Sequence, residues 1–210
     1  MTLCIGEVLD AATLARLTAV LDGATFEDGR LTAGWSARLV KHNRQLAADS
    51  PAHAEVTRTI CEALRSSQTL QAAALPRIYR PPLISRSDAG MGYGLHVDDA
   101  LMGQPPVRVD LSYTLFLCAP DVYEGGELVL EDAQGEHSFK LPAGAMVLYP
   151  ATYLHRVETV RSGVRLAAVG WIQKLDIVRT GKSKELIAGQ RRVQEKQPRG
   201  GGLHSEFGDK

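Results

Sequence analysis

Two histidines and one aspartate have the residue types and spacing of a metal site. His96 and Asp98 lie two residues apart, and on an extended segment this spacing points both side chains to the same face of the strand. His155, far along the chain, would add a second imidazole. Two imidazoles and one carboxylate bind non-haem Fe(II) and leave coordination positions open for other ligands. The sequence therefore predicts an iron site at His96, Asp98 and His155.

An arginine follows this set at a distance that suggests a second binding role. Arg165 comes ten residues after His155 and opens an apolar strand that runs to Trp171. An arginine in this position either caps the edge of a sheet or binds an anion. With a metal expected nearby, we favour a small carboxylate, which the planar guanidinium can bind through two parallel hydrogen bonds. Trp171 lies six residues after Arg165, an even number, so its side chain points to the same face of the strand. There it would form a wall of the pocket or pack in the core.

The His-x-Asp pair has a plain structural interpretation, in which a core histidine is hydrogen-bonded to a carboxylate. The context favours the metal instead, because the pair follows a Gly-rich turn and Tyr93 and lies early in a series of strands. In a closed double sheet, an early strand and a late strand can be neighbours. The remaining histidines lack a comparable partner pattern, and His137, beside a hairpin turn, is expected to be exposed; they are His42, His53, His137 and His204.

Length and composition predict an ordinary globular protein of one domain. The chain has 210 residues, of which 44% are hydrophobic and 23% charged, long enough for a sizeable core. Lys plus Arg equals Asp plus Glu at 24 each, so the global charge does not favour nucleic acid as a partner. The three scattered cysteines form neither a disulfide framework nor a zinc spacing, which favours a cytoplasmic location. We expect no signal peptide and no transmembrane helix.

The hydrophobic pattern changes from a helical period to a strand period along the chain. Helices are predicted from Asp10, as N-cap, to Leu21 and from Ala52 to Ser66. Trp35–Val40 is predicted as a strand, and the polar run 41–45 is as compatible with a solvated loop as with a role near the site. Eight short strands separated by turn signals follow, which indicates a jelly-roll sandwich buttressed by helices. They are predicted at 83–87, 94–97, 109–117, 127–130, 136–140, 145–149, 156–160 and 166–173, with turns at 88–90, 124–126, 133–135, 142–144 and 161–163.

Taken together, these motifs resemble the Fe(II)- and 2-oxoglutarate-dependent prolyl-4-hydroxylase-like superfamily and, within it, the bacterial PKHD-type hydroxylases linked to iron uptake. The similarity covers most of residues 1 to 173. The segments that carry it are Tyr93-Gly94-Leu95-His96-Val97-Asp98, residues 110–117, Tyr123-Glu124-Gly125-Gly126-Glu127-Leu128, Leu141-Pro142-Ala143-Gly144 with Val147-Leu148-Tyr149-Pro150, Leu154-His155-Arg156-Val157, and Gly163-Val164-Arg165 through Trp171-Ile172-Gln173.

The resemblance implies a mainly β fold, a double-stranded β-helix (jelly-roll) core with an N-terminal helical buttress. It also implies that His96, Asp98 and His155 bind Fe(II), that Arg165 binds the distal carboxylate of 2-oxoglutarate, and that Tyr93 hydrogen-bonds or walls this co-substrate. The expected reaction consumes O2 and 2-oxoglutarate, releases succinate and CO2, and hydroxylates a further substrate, with ascorbate as a candidate additional cofactor. Halogenating relatives lack the carboxylate ligand, so the presence of Asp98 favours hydroxylation.

The organisation expected from these observations has three parts. Residues 1–82 form a helical and strand support region, residues 83–173 the catalytic core of the same domain, and residues 174–210 a basic, flexible tail with nine Lys/Arg against five Asp/Glu. The family usually continues with an acidic, helix-forming tail, so this chain departs from it there.

The partners and the reaction leave alternatives open. The expected partner is a small-molecule or peptide substrate, with no nucleic acid and no membrane. The oligomeric state is open, with a homodimer as one candidate. Two other functions remain: a non-catalytic, cupin-like sensor of iron or 2-oxoglutarate, and a structural β-sandwich whose histidines are incidental.

Overall fold

The computed structural model of the protein describes residues 2–32, 34 and 37–175. Over these residues the α-helices are α1 (Ala11–Asp22), α2 (Pro51–Ser66) and α3 (Gln68–Ala74), and 3₁₀ turns span Gly29–Thr32 and Ala37–Leu39. The strands are β1 (Leu3–Ile5), β2 (Phe26–Asp28), β3 (Lys41–His42), β4 (Arg44–Leu46), β5 (Pro76–Tyr79), β6 (Leu83–Ser87), β7 (Gly92–His96), β8 (Leu101–Met102), β9 (Val107–Arg108), β10 (Leu111–Phe116), β11 (Tyr123–Gly125), β12 (Leu128–Asp132), β13 (Gly135–Phe139), β14 (Met146–Pro150), β15 (Leu154–Val157), β16 (Val160–Gly163) and β17 (Arg165–Lys174). The predicted basic tail covers residues 174–210; its first residue, Lys174, ends β17, and the Leu175 N–H donates to the Leu75 carbonyl oxygen. From residue 176 onward the tail lies outside the described residues.

Local signals in the sequence account for the two longer helices. Asp10 is the N-cap of α1, and its carboxylate accepts a hydrogen bond from the Thr13 backbone N–H at 2.7 Å, which satisfies one of the free donors at the helix start. Helix α2 begins at Pro51, a residue whose fixed φ suits the first helical turn. Its Val56, Ile60 and Leu64 recur every four residues and are fully buried, so α2 presents one apolar face to the sheet.

Two antiparallel sheets make up most of the fold. The larger sheet has the strand order β1-β14-β10-β17-β6-β4-β2, with β5 paired to β17, and the smaller has the order β13-β12-β15-β7-β3. Strands β11 and β16 form a separate pair, as do β8 and β9. The predicted mainly β architecture, a double-stranded β-helix with helices against it, is confirmed.

The larger sheet buries both faces of its central strand β10, on which the polar Ser112 and Thr114 are buried as well as the apolar residues. On β10, Tyr113 and Leu115 belong to a cluster with buried residues of the three helices. Phe116, on the opposite face, packs with Leu128 and Val147 between the two sheets. The helices therefore cover the outside of the larger sheet and leave its inner face to the smaller sheet.

One predicted strand and two predicted turns were wrong. The strand predicted over Trp35–Val40 is a 3₁₀ turn where the structure describes it, at Ala37–Leu39. The turns predicted at 124–126 and 161–163 lie largely in the paired strands β11 and β16. Their glycines permit close strand approach rather than a turn alone, because a Cβ on Gly125 would lie 2.2 Å from the Thr159 carbonyl oxygen.

Two expectations about the whole chain can be compared with the described residues. The cysteines Cys4, Cys61 and Cys118 are all unpaired, as predicted from their spacing. Among the described residues, the helices are too short or too polar to span a bilayer.

Candidate functional site

Neighbouring strands of the smaller sheet bring the three predicted metal ligands together. Strands β7 and β15 are antiparallel, and His155 lies directly opposite His96. Strand β15 begins at Leu154, so His155 stands within the strand and not just before it. Asp98 follows β7 by two residues, and one ligand atom from each of the three side chains lies within 4.8 Å of the others. An early and a late strand thus meet as expected from a closed double sheet.

Backbone carbonyls orient both imidazoles. Nδ1 of His96 lies 2.8 Å from the Gly94 carbonyl oxygen, and Nδ1 of His155 lies 3.0 Å from that of Tyr153. A carbonyl can only accept, so each Nδ1 carries the proton and each Nε2 presents its lone pair. Nε2 of His155 lies 3.7 Å from Oδ2 of Asp98. This donor set, two neutral imidazole nitrogens and one carboxylate, fits Fe(II) with open positions.

Burial keeps one of these imidazoles neutral. Desolvation and the neighbouring His155 lower the pKa of His96 to about 4, against the opposing hydrogen bond to Gly94 and the charge of Asp98. A protonated imidazole cannot bind a metal, so this shift favours the ligand form at neutral pH.

A serine holds the carboxylate ligand in place. The Ser112 hydroxyl donates to Oδ2 of Asp98 at 2.5 Å, and Ser112 is buried on β10 of the larger sheet. Partners of this kind fix the orientation of a metal ligand and tune its affinity. Sequence reasoning missed Ser112, since a single serine within a strand has no motif of its own.

Aromatic rings surround the histidines. The Tyr93 ring stacks on that of His96 with centroids 3.7 Å apart and planes 18° apart, and Tyr149 meets His155 edge-on at 5.3 Å. Burial raises the pKa of the Tyr93 hydroxyl, as do the nearby carboxylates of Asp98 and Asp99, so the hydroxyl stays protonated and can donate a hydrogen bond.

The predicted arginine is the largest fully buried side chain of the structure's described part. Arg165 is 2% exposed, and its guanidinium carbon lies 5.6 Å from the centroid of the Phe116 ring. Its Nε and Nη2 have no hydrogen-bond partner among the described residues. Burial lowers its pKa, against the opposing influence of Tyr123 and Cys118. A buried cation with unpaired donors is costly to maintain, and this arrangement suits a site that receives an anion.

Both sheets line one cavity of about 510 Å³ that contains all six residues singled out by the sequence. Trp171 lines it with Arg165, as the period-two count predicts. The lining also includes Lys41, Asn43 and Gln45, from the polar run that the sequence left open between a loop and a site role. All three are buried, so the structure favours the site role. The three residues occupy every second position, which is the pattern of a strand with one buried face. This pattern is usually recognised from apolar residues, so polar ones do not reveal it.

The other histidines lie away from this cavity where the structure describes them. His137 is exposed, as expected, and its Nε2 lies 3.3 Å from Oδ1 of Asp132. His42 is exposed on β3, and His53 is partly buried on α2. His204 lies outside the described residues.

Comparison with known proteins identifies the family. Residues 82–173 match the 2OG-Fe(II) oxygenase superfamily. A PKHD-type hydroxylase of Synechococcus is 48% identical over 189 residues, covering 89% of this chain and 84% of the relative. Another from Xanthomonas campestris is 47% identical over 181 residues, covering 83% and 79%. The chain belongs to the PKHD-type hydroxylases. It is an Fe(II)- and 2-oxoglutarate-dependent oxygenase, and its cofactors are Fe(II) and the co-substrate 2-oxoglutarate.

Solved structures share the fold of this PKHD-type hydroxylase at low sequence identity. A Pseudomonas putida prolyl-4-hydroxylase is 18% identical with a TM-score of 0.56, covering 83% of this chain and 92% of that one. A Trichoplax adhaerens prolyl hydroxylase, solved with a hypoxia-inducible-factor peptide fragment, is 14% identical with a TM-score of 0.61, covering 81% and 82%. HygX from Streptomyces hygroscopicus, solved with nickel and 2-oxoglutarate, is 11% identical with a TM-score of 0.57, covering 83% of each chain.

Proposed function

We propose that His96, Asp98 and His155 bind the Fe(II) of this PKHD-type hydroxylase, and that Arg165 binds the distal carboxylate of 2-oxoglutarate. The observation that carries the proposal is one cavity holding both a two-imidazole, one-carboxylate donor set and a buried guanidinium with unpaired donors. The metal set and the anion site require each other, because 2-oxoglutarate must reach from one to the other.

Three side chains of the cavity have a definite task in this scheme besides the metal ligands. Arg165 orients the co-substrate through paired hydrogen bonds, in a pocket where a low dielectric strengthens them. Tyr93, stacked on His96, walls the co-substrate, and Trp171 encloses the cavity on the side of the larger sheet. When bound, the iron supplies the O2 chemistry that converts 2-oxoglutarate to succinate and CO2 and hydroxylates the second substrate.

The second substrate is proposed as a class. The chemistry fits a prolyl or other amino-acid side chain, or a siderophore-related small molecule. The prolyl option has support from the shared fold with prolyl hydroxylases, one of which was solved with a peptide fragment. The siderophore option has support from the association of PKHD-type hydroxylases with iron uptake.

Substrate profiling under turnover tests this function. The protein is incubated with Fe(II), 2-oxoglutarate, ascorbate and a panel of prolyl peptides, free amino acids and siderophore fragments. We expect succinate to form and one compound to gain about 16 Da, taken up from ¹⁸O2 as about 18 Da. Asp98→Ala is the matched variant, and we expect it to give neither signal. Succinate formation by folded Asp98→Ala would contradict the metal assignment, and absence of succinate with wild-type protein would favour a non-catalytic sensor.

A further inference from the structure

A second buried cation lines the cavity and has no role in the scheme above. Lys41, on β3, is 7% exposed, and its Nζ donates to the Thr32 hydroxyl at 3.2 Å. Nζ also lies 5.3 Å from the centroid of the Tyr93 ring. Among the described residues, Lys41 forms no ion pair with a carboxylate. A buried ammonium in this state lacks the partner that normally offsets its desolvation.

A buried amide donor accompanies this lysine. Gln45, on β4, is 2% exposed, and its Oε1 accepts from the same Thr32 hydroxyl that accepts from Lys41. Its Nε2 has no hydrogen-bond partner among the described residues. The head groups of Lys41 and Gln45 therefore converge at one hydroxyl, and both residues line the cavity. A carboxylate could accept hydrogen bonds from both the Lys41 ammonium and the Gln45 amide N–H, which has no acceptor.

This pair comes from different strands than the anion site at Arg165: Lys41 lies on β3 of the smaller sheet, and Gln45 lies on β4, two strands from β17 in the larger sheet. The Lys41 ammonium lies over the Tyr93 ring, and this ring stacks on the metal ligand His96. Arg165 instead begins β17 and is paired with Ser87 of β6. A group held by Lys41 would thus lie near the ring that stacks on a metal ligand.

Charge balance leaves the lysine without a partner even in the loaded enzyme. Asp98, Asp99 and the two carboxylates of 2-oxoglutarate carry four negative charges, which the two of Fe(II) and one each of Arg165 and Arg80 offset; the ion's own charge must be counted in such a site. Among the charged groups that line the cavity in the described part of the chain, Lys41 then remains as the cation in excess.

We infer that Lys41 Nζ and Gln45 Nε2 form a subsite for a carboxylate of the second substrate, and that this substrate is therefore a small carboxylic acid. The inference rests on the proposed function, because it assigns 2-oxoglutarate to Arg165. It narrows the candidates to molecules with a free carboxylate a few bonds from the hydroxylated carbon. An internal prolyl residue of a peptide, which has no free carboxylate there, does not meet this condition.

A pair of probes of equal shape tests the subsite by binding rather than turnover. Protein is loaded with Ni(II) and saturating 2-oxoglutarate, and the Kd values of isobutyrate and isobutyramide are measured by ligand-observed NMR. We expect wild-type protein to bind isobutyrate about ten-fold more tightly, as a charge-assisted hydrogen bond in a buried site requires. The Kd of 2-oxoglutarate is measured in the same samples.

Two variants and a control make the test specific. Lys41→Met should abolish the preference for isobutyrate and leave the Kd of 2-oxoglutarate unchanged. Gln45→Glu keeps the lysine but supplies it with an internal carboxylate, so it should also abolish the preference. Arg44→Met removes a cation next to Gln45 whose side chain is 54% exposed and near Asp88, and it should keep the preference.

The contrary outcomes are distinct from one another. Normal 2-oxoglutarate binding without a preference for isobutyrate in wild-type protein would overturn this inference alone. So would a preference that survives in Lys41→Met. A ten-fold loss of 2-oxoglutarate affinity in Lys41→Met would assign the lysine to the co-substrate instead. Failure of wild-type protein to bind 2-oxoglutarate with Ni(II) would overturn the proposed function itself.

Discussion

Replacement of Arg165 by methionine separates a binding role from a structural one. Methionine keeps most of the unbranched chain that packs near Gly126, where an added Cβ would lie 3.0 Å from Cδ of Arg165, but it removes the charge and every donor. In the ligand-free protein, Nε and Nη2 of Arg165 have no partner among the described residues. The substitution should therefore weaken ligand binding without weakening the fold.

The expected magnitudes have opposite signs for binding and for stability. Removing one partner of a buried, hydrogen-bonded charge pair costs about 2–5 kcal/mol, so the Kd of 2-oxoglutarate should rise by about thirty-fold to a few thousand-fold. Each unpaired buried donor costs about 1–3 kcal/mol, against about 0.5–2 kcal/mol for the lost contact with Phe116. We expect the ligand-free variant to be as stable as wild type or more stable by about 1–3 kcal/mol.

Thermal unfolding measures both effects in one experiment. With Ni(II) present, 2-oxoglutarate at about 100 times its Kd should add about 2.7 kcal/mol to wild-type protein, which raises Tm by about 5–10 °C for a domain of this size. At the same 2-oxoglutarate concentration, Arg165→Met should lose about two thirds of this rise or more. Arg86→Met is the control, since Arg86 pairs with Asp88 at 2.9 Å outside the cavity. An unchanged rise in Arg165→Met would refute the assignment, and a severe loss of ligand-free stability would indicate a structural arginine.

Three further predictions follow from single contacts. Ser112→Ala should weaken metal affinity about 10- to 100-fold in a calorimetric titration, because it removes the hydrogen bond to Asp98; unchanged affinity would contradict this. Burial lowers the pKa of Lys41 to about 8, so the unfolded chain binds more protons between pH 8 and about 10.5 and stability rises with pH there. The free energy of unfolding of ligand-free Lys41→Met should therefore exceed that of wild type by up to about 3 kcal/mol below pH 8, and this difference should vanish by about pH 10.5. A difference that does not change with pH would contradict this prediction. Gly170→Ala should lower the free energy of unfolding by about 1–3 kcal/mol in urea, since its Cβ would lie 2.4 Å from the Tyr113 hydroxyl, and a neutral result would show that this packing relaxes.

The sequence predicts the fold well where apolar periodicity and caps act together. Helix α1 begins after its Asp10 cap, and β6 spans the predicted residues Leu83–Ser87. The position of His155 opposite His96 also follows, because the strand order of a closed double sheet makes an early and a late strand neighbours. These features depend on local pattern and general topology.

The parts that escape prediction are those whose partners come from elsewhere in the fold. Strands β3 and β4 span two and three residues and turn polar side chains inward, so no apolar alternation marks them. The link from Ser112 to Asp98 spans fourteen residues and two sheets. The sequence predicts Gly163 in a turn, but its backbone lies in β16. A Cβ on Gly163 would lie 2.2 Å from the Val122 carbonyl oxygen.

Anaerobic calorimetric titration with Fe(II) tests the central claim most directly. We expect wild-type protein to bind one ion per chain, and His155→Ala to lose this binding while it remains folded. His137→Ala should bind like wild type, because His137 is exposed and pairs with Asp132 away from the cavity. One ion per chain bound with wild-type affinity by folded His155→Ala would contradict the site described here.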